Sequence, residues 1–243
     1  MDKLRVAAFQ RRPLFDDVPG ITRRLVADLE WCDSEGVDFA LFPECYLQGY
    51  LLERALLSVV SLALDGERMC ELLAQLVGFR STFVVGLVER HEGFVFNTAV
   101  SIRSGVILSA YRKTHLHRKE QAFDVGGGYR VFDVGAWKLG SNICYDANFP
   151  EAAAAIASQG ARLICYPLNN MMPPGAADRW RSRSVENLSC RAAETGCWVA
   201  SSDVVGAHGA MVCHGCTCIV RPDGQVVTRV QEGCEGVALF DCG

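Results

Sequence analysis

Along the whole chain, short runs of apolar residues alternate with longer stretches in which apolar and polar positions recur at helical spacing. The runs Leu4 to Phe9, Phe39 to Phe42, Phe83 to Val88, Asn97 to Ile102, Val106 to Tyr111 and Tyr129 to Val134 read as strands. So do Trp137 to Ile143, Leu163 to Tyr166, Trp198 to Ser202, Thr217 to Val220 and Val226 to Val230. Helices are expected between them, over Val18 to Glu35, Glu53 to Leu62, Gly66 to Gly78, Phe149 to Gln159, and Ala176 to Thr195 in one or two pieces. Strands interleaved with helices imply an α/β layered protein. No low-complexity or Pro/Ser-rich linker divides the sequence, so a single domain over residues 1–243 is expected.

Two segments repeat one pattern. Asp38-Phe39-Ala40-Leu41-Phe42-Pro43 follows a helix and a Gly36 stop, and Arg162-Leu163-Ile164-Cys165-Tyr166-Pro167 follows a helix and a Gly160 stop. Both are short apolar strands of the kind buried on two faces, ending in a proline where a loop begins. Open α/β sheets place their sites at such strand ends, and the two units read as pseudo-equivalent halves.

Composition narrows the class. Half of the 243 residues are hydrophobic and 21% are charged, enough apolar material for one substantial core and the opposite of a disordered composition. The net charge of −4 points to no nucleic-acid partner. The longest uncharged apolar stretch, residues 55–64, has 10 residues, about half of what a membrane span needs. Met1 to Gln10 runs directly into a strand-like pattern without the apolar core of a signal peptide, so a cytoplasmic protein is expected. In that compartment most of the twelve cysteines read as small buried hydrophobes.

Three segments put a reactive side chain at the end of an apolar strand: Phe42-Pro43-Glu44-Cys45-Tyr46, Tyr111-Arg112-Lys113-Thr114-His115-Leu116, and Ile143-Cys144-Tyr145-Asp146. Together a Glu, a Lys and a Cys can build a nucleophilic hydrolase. The thiolate attacks a carbonyl, the carboxylate moves protons, and the ammonium stabilises the oxyanion. Taken singly, each also reads as structural: a core cysteine, a loop-end glutamate, a lysine in a surface run.

In this order and context the segments resemble the nitrilase superfamily of carbon–nitrogen hydrolases, whose signature is Glu, Lys and Cys in that chain order. The resemblance extends through Gly49-Tyr50, Val84-Val85-Gly86, Asn97-Thr98-Ala99, Phe149-Pro150-Glu151, Arg191-Ala192-Ala193-Glu194, Gly215-Cys216-Thr217 and Pro222-Asp223-Gly224. It implies a four-layer αββα sandwich that dimerises through helices. It also implies Cys144 as nucleophile, Glu44 as general base and acid, and Lys113 with the Tyr145 backbone N–H as oxyanion hole. A helix N-terminus near Phe149 and Lys113 would both favour the thiolate. Glu120, seven positions after the lysine, is expected to position the amide and brace Lys113. No cofactor and no metal are expected.

Tyr145-Asp146 after the cysteine looks more like the amidase and carbamoylase branches than the Trp-Glu of true nitrilases. The resemblance therefore implies hydrolysis of a small primary amide to carboxylate and ammonia, or, as the alternative, of an N-carbamoyl amine or amino acid to ammonia and carbon dioxide. Tyr50, Tyr145, Asn148, Asn169, Asn170 and the pair Met171-Met172 are expected to line the pocket, and no charge in these segments marks a charged substrate.

Other features carry plainer readings. The basic run from Arg112 to Lys119 is site loop and solvated face, and Gly126-Gly127-Gly128 a flexible loop near the site. Cys213, His214, Cys216 and Cys218 lack the paired clusters of a zinc site and read as packing in a strand-like segment. Two departures from the family pattern stand out: Ser201-Ser202-Asp203 replaces a common Asn, and the chain ends at Gly243 without the extension that many relatives exchange. A homodimer is still expected, with higher oligomers in doubt. The non-enzyme alternatives are an inactive scaffold or a thiol redox sensor, the latter requiring a disulfide or metal at Cys213 and Cys216.

Overall fold

The structure, a computed structural model, describes residues 3–15 and 17–243. In chain order it contains β1 (Leu4–Gln10), α1 (Val18–Glu35), β2 (Phe39–Leu41), α2 (Arg54–Val60), α3 (Glu67–Ala74), β3 (Thr82–His91), β4 (Phe94–Arg103) and β5 (Val106–Arg112). There follow β6 (Val131–Val134), β7 (Trp137–Ser141), a 3₁₀ turn (Cys144–Asn148), α4 (Pro150–Ala157), β8 (Leu163–Pro167), α5 (Pro174–Thr195) and β9 (Trp198–Ser202). The chain closes with β10 (Gly206–His208), β11 (Met211–Cys213), β12 (Cys218–Val220), β13 (Val226–Arg229) and β14 (Gly236–Cys242).

Two six-stranded sheets form, ordered β14-β1-β2-β3-β4-β5 and β13-β12-β9-β8-β7-β6. The alternation of side chains along each strand assigns them to separate cores. Val6, Ala8, Phe39 and Leu41 meet Leu139, Leu163, Cys165, Trp198 and Ala200 between the sheets. The intervening residues Ala7, Phe9, Ala40 and Phe42 face α1 and α3, packing on Ile21, Leu25, Leu29 and Met69. On the second sheet Ile164, Tyr166 and Val199 face α4 and α5, represented by Ile156, Leu188 and Ala192. The result is the expected αββα sandwich in one domain, and the central strands read as unbroken apolar runs because both faces are covered.

The repeat noted in the sequence is carried by topology. Read as β14-β1-β2-β3-β4-β5 and β6-β7-β8-β9-β12-β13, both sheets have the same succession of pairings: antiparallel, parallel, parallel, antiparallel, antiparallel. The two helix-strand units with a terminal proline, around β2 and β8, occupy equivalent places.

Helix ends follow local chemistry. The Asp17 side chain accepts from the Gly20 N–H at the start of α1, and Gly36 closes it in the left-handed conformation at φ 67°. α5 is one continuous helix that starts at Pro174, two residues before the expected position, and ends at Gly196. Several boundaries differ from expectation. The helix expected to run to Gly78 stops at Ala74, and the strand expected to reach Ile143 stops at Ser141, because the chain turns there toward Cys144. Cys213 ends β11 and Cys218 opens β12, so the cysteine cluster spans a loop rather than one strand. The hairpin β10–β11 and the edge strand β14, which pairs antiparallel with β1 over its full length, carry no expectation from the sequence. Among the described residues, no helix is long and apolar enough to cross a membrane.

Candidate active site

The ends of β2, β5 and β7 converge on one point, and each delivers one of the expected side chains. After β2 the chain turns tightly through Pro43-Glu44-Cys45, with Cys45 at φ 47°. The turn lies directly on β3: Gly86 N–H donates to the Pro43 carbonyl at 3.1 Å. A Cβ on Gly86 would stand 2.5 Å from both the Cys45 nitrogen and the Pro43 oxygen, so only glycine allows the approach. Glu44 N–H in turn donates to the Leu168 carbonyl at 3.1 Å, fixing the turn to the loop after β8.

Lys113 leaves the end of β5 and is 1% exposed. Its Nζ donates to Glu44 Oε1 at 2.7 Å and to Glu120 Oε1 at 2.9 Å. Asn97 on β4 bridges the same two oxygens, its Nδ2 donating at 2.7 Å and 3.3 Å. Glu120 is fixed from its other side by the His117 N–H at 2.6 Å. Glu44 Oε2 is buried and has no hydrogen-bond partner among the described residues. Burial pushes the Glu44 carboxyl up to about 7, with Glu120 adding to the rise and Lys113 and Asn97 opposing it. Burial alone would lower the Lys113 pKa, but the charges around it, Glu44 foremost, hold it well above the ordinary lysine value. Asn97 was not among the expected site residues. Its signal is a polar side chain inside a strand run that reads as buried throughout.

Cys144 sits just past β7, half-buried, at φ 43°. A non-glycine residue in this region stores roughly 1–3 kcal/mol of strain and persists only where its surroundings over-determine it. Asp146 supplies that determination. Its buried carboxylate accepts from Ile143 N–H at 2.8 Å, Tyr111 OH at 2.8 Å and His115 N–H at 3.0 Å, and pairs with His115 Nδ1 at 2.8 Å. One side chain thus ties the cysteine turn to the loop that carries Lys113. The same motif supplied the Tyr145-Asp146 signature, yet nothing in the sequence says that Asp146 points back at Tyr111 and His115.

The electrostatics of Cys144 differ from expectation. α4 starts at Pro150, six positions beyond the sulfur, and a 3₁₀ turn intervenes. Burial pushes the thiol well above its ordinary value and the Glu44 charge adds to this. Lys113 and the nearby Asn169 N–H pull the other way without prevailing. The resting group is a thiol, next to a carboxyl group with a free oxygen.

Lys113 and Cys144 open into a cavity of about 490 Å³. Tyr50, Tyr145, Asn148, Asn169 and Asn170 all line it, as do Met171 and Met172, whereas Glu44 and Glu120 lie beneath its floor. Two of the expected substrate contacts have partners of their own. Asn148 donates to the Tyr145 carbonyl at 3.0 Å and accepts from Asn187 at 2.9 Å. Asn170 gives its backbone N–H and its Nδ2 to Asp203 at 3.1 and 2.8 Å. Both residues shape the wall, and the Asn170 side chain keeps its Oδ1 and the second Nδ2 hydrogen to meet a ligand.

The remaining features separate. Arg112 pairs with Glu89, Lys113 is buried and His115 pairs with Asp146, so the basic run is not a continuous patch. Gly126 packs against the Arg112 carbonyl, where a Cβ would stand at 2.2 Å, while Gly127 faces open space. Cys213 donates to the Val204 carbonyl, Cys218 lies 3.4 Å from Ser201 Oγ, and His214 pairs with Asp178. All twelve cysteines are free. Among the described residues, no group of three or more His, Cys, Asp or Glu is placed to hold a metal ion.

The carbon-nitrogen hydrolase family model matches residues 5–242. A nitrilase from Pyrococcus abyssi is 30% identical over 214 residues, covering 86% of this chain and 78% of its own. An (R)-stereoselective amidase from a Pseudomonas species is 32% identical over 194 residues, 78% of this chain and 68% of its own. Among solved structures, a double mutant of the amidase from Nesterenkonia sp. AN1 in complex with acrylamide matches with a TM-score of 0.87. It is 23% identical and covers 99% of this chain and 91% of its own, a likeness of fold.

Proposed function

Because this chain belongs to the carbon–nitrogen hydrolase family, we propose that it cleaves the C–N bond of a primary amide, with Cys144 as nucleophile. Glu44 takes the thiol proton as sulfur attacks the carbonyl carbon. Lys113 Nζ and the Tyr145 N–H stabilise the oxyanion, each such donor contributing about 3 kcal/mol to the transition state. As the tetrahedral adduct collapses, Glu44 returns the proton to the nitrogen and ammonia leaves, giving a thioester on Cys144. Glu44 then takes a proton from water as hydroxide adds to the thioester; collapse breaks the C–S bond, Glu44 returns the proton to the sulfur, and the carboxylic acid leaves. Glu120 and Asn97 do not touch the substrate in this reading; they hold Lys113 and Glu44 in place.

The observation that carries the reading is the division of labour on Glu44. Oε1 is taken up by Lys113 and Asn97, while Oε2 is buried and has no partner among the described residues. A carboxylate serving only as the lysine's counter-ion has no need of a buried free oxygen, whereas a proton acceptor does. The relative named amidase supports an amide substrate, and the relative named nitrilase makes nitriles a necessary arm of the test.

The test is ammonia release from primary amides, N-carbamoyl amines and nitriles, run with wild type and Cys144→Ala and paired with intact-mass detection of an acyl adduct. Amide turnover that vanishes in the variant, with an adduct on Cys144 only, is the expected result. Turnover confined to N-carbamoyl amines shifts the assignment to a carbamoylase. Wild-type rates in Cys144→Ala refute the mechanism.

A further inference from the structure

Unmatched positive charge collects at the mouth of the cavity. Arg118 and Lys119, on the loop after Lys113, line one side, and Arg179 on α5 lines the other. Among the described residues, none of these three side chains has an ion pair or a hydrogen bond, and Glu53 is the one carboxylate in the lining. Four nearby arginines are engaged: Arg54 with Asp124, Arg112 with Glu89, Arg181 with Glu232, and Arg183 over the Trp180 ring. The charge of Lys113 is matched from below by Glu44 and Glu120. Three cations against one anion therefore face the space that a substrate's far end would fill. A cleft with low-dielectric walls focuses such a field.

Arg179 is the best placed of the three. It lies on the cavity face of α5 with Ala176, Trp180, Ser184 and Asn187, at helical spacing. Its Nη1 folds back to 3.8 Å from where a Cβ on Gly175 would stand. Much of the remaining lining is apolar, with Leu51, Leu56, Met171, Met172 and Met211 among it. At 490 Å³ the space equals roughly 16 water volumes at ~30 Å³ each, far more than a two- or three-carbon amide occupies. Arg179 lies outside the segments expected to form the pocket, whereas Arg118 and Lys119 belong to the basic run read as site loop and solvated face.

We propose that the substrate is an amide whose acyl chain is apolar and ends in an anionic group such as a carboxylate, with Arg179 as the anchor and Arg118 and Lys119 completing the rim. The proposal rests on the amidohydrolase reading above. Hydrolysis then converts a monoanionic monoamide and water into a dicarboxylate and ammonium. An ammonium-ended amide meets the net positive rim and is disfavoured.

The experiment compares three amides of equal length on the full chain: suberamic acid (anionic), octanamide (neutral) and 8-aminooctanamide (cationic). The expected order of kcat/KM is anionic, neutral, cationic, with about a tenfold gap between the first two, the scale of one charge-assisted contact. Arg179→Met lowers the anionic-to-neutral ratio about tenfold, mainly through KM, and Arg179→Lys restores part of it. Raising salt narrows the ratio in wild type more than in Arg179→Met. Octanamide turned over as well as suberamic acid, or a ratio unmoved by Arg179→Met, overturns the proposal and leaves amide hydrolysis standing. Silence on all three while other amides are cleaved also overturns it. Silence on every amide removes the underlying reaction instead.

Discussion

Replacing Asn97 with leucine, close to it in size, removes one of the two donors on Glu44 Oε1 and leaves the Lys113 contact in place. The lost bond is short, 2.7 Å, and fully buried. A hydrogen bond to a charged group is worth about 1.5–3 kcal/mol, and one pH unit corresponds to about 1.36 kcal/mol, so the loss amounts to about 1–2 units. The donor favours the carboxylate, so its removal favours the acid and the Glu44 pKa rises. In wild type that pKa is about 7; in Asn97→Leu the acid limb of kcat/KM is expected to sit about 1–2 units higher. Activity at neutral pH falls about fivefold to fiftyfold and returns as the pH is raised. The assay is kcat/KM for one hydrolysed amide from pH 5.5 to 10, with thermal melts confirming that the variant is folded at each pH. A variant with a lower plateau but an unmoved acid limb refutes the reasoning, because a merely structural defect scales the whole profile. So does a limb that moves to lower pH.

Three further perturbations follow from the same geometry. Gly86→Ala places a Cβ 2.5 Å from two backbone atoms of the Glu44 turn. It is expected to destabilise the fold by about 1–3 kcal/mol in denaturant melts and to remove most activity; a neutral effect on both means that the turn does not rest on β3. Asp146→Ala unties the Cys144 turn from the Lys113 loop, leaves the Ile143 N–H buried without its acceptor and leaves the Tyr111 hydroxyl to Thr114. A loss of about 3 kcal/mol or more in stability is expected, together with slower, less selective alkylation of Cys144 by iodoacetamide, read by peptide mapping. Among the described residues Asp203 has no cationic partner, and burial raises its pKa from 3.8 to about 6 despite the donors from Asn170 and Val204. A raised folded-state pKa gives stability that is present below 3.8 and lost as pH climbs through 6. The stability of wild type relative to Asp203→Asn should therefore drop by up to roughly 3 kcal/mol over that window, and a difference that is flat with pH contradicts the assignment.

How much of this was legible beforehand depends on whether the cause is local. The strand runs and α1 were readable because apolar periodicity and the Asp17 and Gly36 caps act within one element. Glu44, Lys113 and Cys144 were readable because each sits at a strand end in a recognisable motif. β14 was not, because its identity depends on pairing with β1 more than two hundred residues earlier in the chain. Asn97 and Asp146 were missed for the same reason. Asn97 is ordinary as a strand residue and becomes a clamp only when β5 lays Lys113 beside it. Asp146 accepts from residues more than thirty positions away. The rim cations lie on a loop and on α5, which meet only across the cavity. Long-range placement, not residue type, separates what the sequence could carry from what it could not.

The pseudo-repeat explains why these long-range placements are rigid. The parallel strands of both sheets end on the same side, and there the two sheets are joined by main-chain bonds rather than by side-chain packing alone. Val205 N–H donates to the Arg11 carbonyl at 3.1 Å, Arg11 N–H to the Asp203 carbonyl at 3.4 Å, and Glu44 N–H to the Leu168 carbonyl at 3.1 Å. The last of these runs from the turn after β2 to the loop after its counterpart β8. Glu44 belongs to one half and Cys144 to the other, and the Asn169 N–H near the cysteine sulfur comes from the residue after Leu168. A shift of one sheet against the other would therefore break a buried backbone bond before it separated the proton acceptor from the thiol. An unsatisfied buried backbone group costs about 1–3 kcal/mol, so the sheet interface holds the reacting groups in register although they arise from opposite halves of the chain.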